Sequence, residues 1–443
     1  MEKFLVAVVG AGPAGIFAAR QLACEGAQVV LFNRDIKPGG LAEYGIYYEK
    51  YKMKEGLRKQ FRMVMDVPQI YYRGNVTVGL QGDLTLAELQ QMGFHAILVT
   101  TGAQGTKWLG LPGEDLQGVY HAKDLVYHYN KLPPFSHQQF HIGKRVALVG
   151  VGNVMMDIAR WVIRDLKADE VVAVARRGPA EVKFTKKEME HIAANLDVAA
   201  LDAELERCRP FMEAVDQNAA ASREYILSGL PKALEAVSQT RFTFDFLASP
   251  ARMLGDAQGR VSGLEVDDTK LVASNGDTKA RSLGTKRVLD VDTVVFCIGD
   301  KVDDQFGLPV RWNEFVKHPA PRFPVGGVSY EAYDHEAEQP VEGIFVAGWS
   351  REASSGLVGI ARKDGENGAQ AVMQYLRSAT LAKAPADVLA VLAQRLQGLG
   401  KPVITQVELK RLEAREQQEI ASQGLEDFKF VTNEEMLQAM SLA

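Results

Sequence analysis

Apolar residues run without a break through Phe4-Leu5-Val6-Ala7-Val8-Val9, stop at Gly10-Ala11-Gly12, and resume in Gln28-Val29-Val30-Leu31-Phe32. A short continuous apolar run bounded by glycine predicts a strand buried on both faces, as in a parallel sheet. Residues 4–33 therefore read as strand, glycine turn, helix, strand. Residues 145–177 repeat the order, with Leu148-Val149 before Gly150-Val151-Gly152 and Val171-Val172-Ala173-Val174-Ala175 after it. This is a loose internal duplication. Strands are also expected at Gly74-Asn75-Val76-Thr77-Val78 and at Ala96-Ile97-Leu98-Val99-Thr100-Thr101. The stretch Leu109-Gly110-Leu111-Pro112-Gly113-Glu114 reads as a crossing between domains.

Residues 185–240 read as mostly helical, with a turn near Cys208-Arg209-Pro210. Residues 242–300 read as β-rich, with strands at 242–246, 261–266 and 293–299. The stretch 303–340 is loop-rich. Ile344-Phe345-Val346-Ala347-Gly348-Trp349 predicts a short buried strand, and Gly356-Leu357-Val358-Gly359 should open a helix. The charged tail after about residue 380 reads as helical, and as packing or interaction surface rather than catalytic.

Composition narrows the class. A chain of 443 residues with 47% hydrophobic and 24% charged residues fits a soluble enzyme of two or three domains. Net charge of −5 argues against general nucleic-acid affinity and leaves room for a local basic patch. The stretch Lys52, Lys54, Arg58, Lys59, Arg62 and the group Lys183, Lys186, Lys187 are candidates for one. Cys24, Cys208 and Cys297 form no CxxC, so neither a metal site nor a disulfide framework is expected. Cys24 and Cys297 are expected to be buried. The early first strand predicts no signal or transit peptide, and no apolar run reaches ~18 residues, so no membrane span is expected. The expected location is cytoplasmic.

The chemistry lies in the glycine turns. Gly10 permits a tight turn, Gly12 lets a pyrophosphate approach the backbone, and Gly15 lets the helix pack on the sheet. The helix N-terminus, with Pro13 and Ala14, then faces phosphate. Where an acid normally grips a ribose hydroxyl the chain has Asn33, with Arg34 and Asp35 beside it. FAD is favoured here by the far end of the chain. Strand 344–348 and the helix start at Gly356, Leu357 and Val358 bring a second positive helix end, suited to the flavin edge that gains charge on reduction. Trp349 then stands near the ring or is a core tryptophan.

In the second fingerprint Gly150 and Gly152 recur, and Met155 holds the third glycine position. The following strand ends in Arg176-Arg177. Two guanidinium groups suit the 2′-phosphate of NADP, which an acid would repel. Asn153 is placed to hydrogen-bond the pyrophosphate. Two dinucleotide sites imply electron passage between two cofactors, and the missing dithiol implies that electrons then leave the protein directly.

In this order, these pieces resemble the adrenodoxin reductase family of ferredoxin–NADP reductases over nearly the whole chain. The resemblance is carried by Gly39-Gly40-Leu41, Tyr44-Gly45-Ile46, Gly74-Asn75-Val76-Thr77-Val78-Gly79, Leu111-Pro112-Gly113-Glu114-Asp115-Leu116 and Tyr129-Asn130-Lys131-Leu132-Pro133. It continues in Gly152-Asn153-Val154 with Asp157-Ile158-Ala159-Arg160, Arg176-Arg177-Gly178-Pro179 with Phe184-Thr185-Lys186-Lys187-Glu188, and Gly348-Trp349 with Gly356. It implies an α/β fold of two Rossmann-like domains. The FAD domain (1–104 and 311–443) is discontinuous, and the NADP domain (105–310) is inserted in it. Hydride would pass from NADPH to flavin, and single electrons from flavin to a ferredoxin or flavodoxin.

By motif, FAD contacts fall on Ala14, Asn33, Gly40, Leu41, Val78, Trp349, Gly356, Leu357 and Val358. NADP contacts fall on Gly150, Gly152, Asn153, Val154, Arg176, Arg177, Glu188 and Gly356. Trp349, Glu188 and Lys50 are candidates near the reacting rings. The chain departs from the family at Asn33, at Met155 and at Tyr47-Tyr48-Glu49-Lys50-Tyr51-Lys52, where the family typically has Pro-Asp-His-Pro. Lys50 stands at the histidine position. Two other readings remain: a flavoprotein subunit resembling the small subunit of glutamate synthase, and a low-turnover flavin or NADP sensor.

Overall fold

The computed structural model describes residues 4–353, 357–379 and 383–442. The chain divides into two compact units. Met1–Thr106, Tyr127–His137 and Asp300–Ala443 make the first, and Lys107–Val126 with Gln138–Gly299 make the second. The sequence places the crossings at 104/105 and 310/311. In the structure Gly105–Thr106 pairs antiparallel with Asp300–Lys301 at the crossing. Tyr127 and Leu132 pack with Tyr44, which draws Tyr127–His137 into the first unit.

The first unit is built on a six-stranded sheet. Strand β1 (Phe4–Val9) lies between β2 (Ala27–Phe32) and β4 (Ala96–Val99), and β3 (Ile70–Arg73) follows β2, all parallel. Gln339–Val346 continues the sheet parallel to β4, and Glu331–Asp334 closes it antiparallel. Val6 and Val8 face one apolar cluster, Leu5 and Ala7 the other. Both faces are therefore covered, as the unbroken apolar run requires. Helix α1 (Pro13–Cys24) packs on the first face.

The second unit repeats the plan with five parallel strands. Their order is Val119–His121, Thr293–Phe296, Arg145–Val149, Glu170–Val174, Arg241–Asp245. Beside it Ala248–Gly255, Val261–Ser274 and Asp277–Leu289 form a separate antiparallel sheet. The β-rich stretch 242–300 is thus shared between two sheets.

Three local expectations are corrected. The strand expected at 74–78 ends at Arg73; Asn75 turns to φ +59° and donates its amide to the Pro402 carbonyl. The turn expected at Pro210 is absent. Helix Val198–Glu213 runs through it, with Leu201, Leu205, Cys208 and Met212 on one buried face, so packing outweighs the hydrogen bond lost to proline. Cys24 is exposed, whereas Cys297 is buried. Cys24 lies two residues beyond buried Leu22, about 200° round the helix.

Candidate functional site

The two glycine turns are built on the same backbone bonds. Gly10 N–H donates to Phe32 O at 2.8 Å, and Gly150 N–H to Val174 O at 2.9 Å. Thr100 N–H reaches Val9 O, and Cys297 N–H reaches Val149 O, both at 2.8 Å. Gly10 has φ +108° and Gly150 φ +120°. A Cβ on either would stand 2.6 Å from Thr100 O or 2.5 Å from Cys297 O, so only glycine fits.

Gly12 and Gly152 differ from these. Both are extended N-cap residues, and a Cβ on either would have no heavy atom within 4 Å. Open space over the second glycine is what an approaching pyrophosphate needs. The helices that follow, α1 and Asn153–Arg164, have no capping side chain and no acid in the first turn. Helix Val358–Ser378 begins the same way, as does α3 (Tyr51–Met65). By contrast, Leu86–Met92, Gln406–Gln423 and Asn433–Ala439 each carry a complete Thr–Glu capping box. Helix N–H groups left without a protein acceptor suit an anion. The donor sets of both units fit dinucleotide phosphates.

In the first unit the Gly39–Gly40 turn folds onto the glycine turn. Gly39 N–H donates to Ala11 O at 2.7 Å, and a Cβ on Gly40 would lie 3.1 Å from Gly12 Cα. Gly40 opens the short helix α2 (Leu41–Tyr44), where Leu41 is half-buried. Asn33 is 7% exposed. Its Oδ1 accepts the Ala11 N–H at 3.1 Å, and its Nδ2 donates to Asp35 O and Lys37 O, both at 2.9 Å. Both Asn33 amide hydrogens are therefore taken up inside the loop. Arg34 pairs with Asp35 at 3.2 Å. The Val78 side chain is buried in the second core cluster, so it offers a ligand only backbone.

Trp349 is half-buried in the turn Gly348–Ser350 that follows strand Gln339–Val346. A Cβ on Gly348 would lie 2.6 Å from Ala14 Cβ, which sets the turn against the start of α1. Leu357 is 74% exposed, and Val358 begins the next helix. Gly356 lies outside the described residues. Lys50 is half-buried at the start of α3. Nearby Tyr47, Tyr48 and Tyr129 pack together, with Tyr47 and Tyr48 stacked at 4.7 Å.

Sequence reasoning missed Asp364 and Gly365. The Asp364 carboxylate accepts from Gly348 N–H at 2.6 Å, Tyr330 Oη–H at 3.0 Å and Arg351 Nε at 3.0 Å. A Cβ on Gly365 would stand 2.1 Å from Ala14 O. The visible signal was Gly365-x-x-Gly368 inside a helix, a small-residue stripe that permits close packing.

In the second unit Asn153 accepts the Thr185 N–H on Oδ1 at 2.8 Å, and Lys183 N–H donates to Val151 O at 2.9 Å. Segment 183–185 is thus tied to the glycine turn. Thr185 caps the short helix bearing Glu188, whose carboxylate is 3.2 Å from His191 Nδ1. Val154 is 44% exposed in the first turn of its helix. Arg176 is exposed, and Arg177 lies 3.7 Å from Asp277. Met155 is fully buried.

The basic stretch 52–62 does not form one patch. Lys54 is 1% exposed, Arg58 pairs with Glu43 and Asp427, and Arg62 pairs with Glu55. Lys183, Lys186 and Lys187 are exposed. Among the described residues no His, Cys, Asp and Glu side chains cluster as a metal would require, and no helix is long and apolar enough to cross a membrane.

The chain is similar to known proteins in sequence and in fold. Residues 4–199 match the model of the pyridine nucleotide-disulphide oxidoreductase family. The NADPH-ferredoxin reductase FprA of Mycobacterium leprae is 28% identical over 410 residues, covering 84% of each chain. The mitochondrial NADPH:adrenodoxin oxidoreductase of Arabidopsis thaliana is 28% identical over 387 residues, covering 80% of this chain and 78% of that protein. The structure of Mycobacterium tuberculosis FprA in complex with NADPH superimposes with a TM-score of 0.81 at 25% identity, covering 99% of this chain and 100% of that one.

Proposed function

We propose that this chain, whose residues 4–199 match the pyridine nucleotide-disulphide oxidoreductase family, is an oxidoreductase that carries electrons from NADPH through FAD to a ferredoxin-type protein. The first unit binds FAD and the second binds NADP(H). The observation that carries the assignment is the pair of uncapped helices behind open glycine turns, one followed by Asn33-Arg34-Asp35 and the other by Arg176-Arg177.

In the second unit the Gly152 backbone and the N–H groups of Asn153–Arg164 hold the pyrophosphate. Arg176, with Arg177 behind it, holds the 2′-phosphate. Thr185 fixes the Asn153 amide. In the first unit Gly12 and the start of α1 hold the FAD pyrophosphate, the Gly40 turn closes over it, and Trp349 and Val358 border the flavin. Bound FAD supplies the exchange between a two-electron hydride donor and a one-electron acceptor. The absence of a CxxC pair is consistent with electron exit without a protein dithiol. The exposed Lys183, Lys186 and Lys187 suit the docking of an acidic carrier.

The test is anaerobic reduction of the FAD-loaded protein, read at the flavin absorbance bands. Rapid bleaching by NADPH and much slower bleaching by NADH are expected, followed by reduction of an added ferredoxin. A flavin that neither nucleotide bleaches would overturn the proposal.

A further inference from the structure

The first unit contains a buried charge network whose members come from distant parts of the chain. Lys37 Nζ lies 2.6 Å from Glu416, at 8% and 7% side-chain exposure. Arg58 lies 2.7 Å from Asp427 and 2.6 Å from Glu43. Lys429, 5% exposed, lies 2.9 Å from the Glu43 carboxylate. Its ammonium also donates to Glu43 O at 2.9 Å and Asn130 O at 3.2 Å, and lies 4.8 Å from the Tyr44 ring centre. Glu416, Asp427 and Lys429 thus answer Lys37, Arg58 and Glu43 charge for charge.

Buried pairs of this kind add little over apolar packing, but removing one partner strands the other, so they hold register strictly. What they register here is the lid of the first glycine turn. Glu43 and Tyr44 belong to α2, which starts at Gly40 against Gly12. The Lys37 carbonyl accepts the Asn33 amide that braces the same turn.

We infer that the C-terminal segment 416–429 is a positioning element of the first dinucleotide site, with Lys429 as the positioning residue for α2. The inference rests on the reading of that site as the FAD site. The tail therefore does more than cover surface: it sets where the Gly40 turn stands over the pyrophosphate.

The test uses the full chain with Lys429→Met, Lys429→Arg and, as a surface control, Lys410→Met (67% exposed). The readouts are FAD affinity, the flavin visible spectrum, its midpoint potential and NADP⁺ affinity. Lys429→Met is expected to weaken FAD binding about tenfold or more, the loss of hydrogen bonds to a charged group. It should also shift the spectrum and potential and leave NADP⁺ affinity unchanged. Lys429→Arg should restore most of the FAD affinity, and Lys410→Met should change nothing. The inference is overturned if Lys429→Met keeps parental FAD affinity, spectrum and potential. It is equally overturned if FAD and NADP⁺ affinities fall together, which would mark a general loss of fold. If Lys429→Met does not fold, the part-exposed Asp427→Asn carries the same test, and unchanged FAD binding there also overturns it. A parent protein that takes up no FAD would instead sink the site reading, and this inference with it.

Discussion

The two glycine turns are built on matching backbone bonds, and they differ most at the end of the second strand of each unit. Asn33 N–H donates to Arg73 O and Ala175 N–H to Asp245 O, both at 2.9 Å. Asn33-Arg34-Asp35 therefore correspond to Ala175-Arg176-Arg177. In the first unit the arginine is neutralised by its neighbour Asp35 and the asparagine is consumed by the loop. In the second, Ala175 replaces the asparagine, Arg176 and Arg177 are both cationic, and Arg176 faces solvent. On the proposed reading, the shared backbone would supply phosphate binding and these three positions would decide which dinucleotide is preferred.

The third glycine marks the other difference. A Cβ on Gly15 would lie 1.9 Å from Gly10 O and 2.5 Å from Thr100 Oγ1, yet Met155 stands fully buried at the matching place. The second helix must therefore start differently. Its first bond, Met156 N–H to Gly152 O, is 3.3 Å, against 3.0 Å for Ile16 N–H to Gly12 O.

Exchanging those residues should break the comparison most severely. Gly15→Met is expected to lower FAD affinity more than about 100-fold, roughly 3 kcal/mol or more, because backbone blocks the side chain. Met155→Gly should leave NADP⁺ bound but destabilise the second unit by about 2–5 kcal/mol, as a cavity does; calorimetry with and without nucleotide separates the two. Equal effects on both sites would contradict the asymmetry.

Next in size is the arginine pair. Arg176→Ala with Arg177→Ala should weaken NADPH about 100-fold through lost charge-assisted bonds and leave NADH unchanged. Titration with both nucleotides decides it, and a matching loss of NADH would point to damage elsewhere. A smaller effect is expected for Asn33→Asp. It removes two donors and sets a carboxylate against Asp35 O and Lys37 O, which should weaken FAD about tenfold. The reciprocal Ala175→Asn should not alter NADP⁺ binding.

The smallest effect on either nucleotide should come from Lys54, whose amine hydrogen-bonds Asn130 Oδ1. Burial, and then Lys429, push it down from 10.5 to about 6, against the pull of Glu43. The folded chain thus binds fewer protons than the unfolded chain between those values, so this residue makes stability rise with pH across the window. Its share is at most about 1.4 kcal/mol per pH unit. Lys54→Met should flatten the denaturation midpoint between pH 6.5 and 9, and a parental slope in the variant would refute the buried-amine account.

Much of this is legible in the sequence. Both strand–turn–helix units, the Arg176-Arg177 pair and the parallel sheets follow from apolar runs and glycine spacing. The strand expected at 74–78 stops at Arg73 because Asn75 turns left-handed, its amide donating to the distant Pro402 carbonyl. The basic stretch 52–62 was misleading because its spacing shows charge but not the acids that answer it.

What the sequence determined by itself is therefore local: where the chain must turn at Gly10 and Gly150, which strands are buried on both faces, and which strand ends in two cations. These depend on neighbours a few residues away, through backbone dihedrals and side-chain period. Only tertiary structure decided that Asn33 is a brace, that Lys54 is buried while Lys183 is exposed, and that Lys429 holds Glu43 across 386 positions. Those outcomes depend on desolvation and on partners brought together by folding, and no spacing along the chain encodes them.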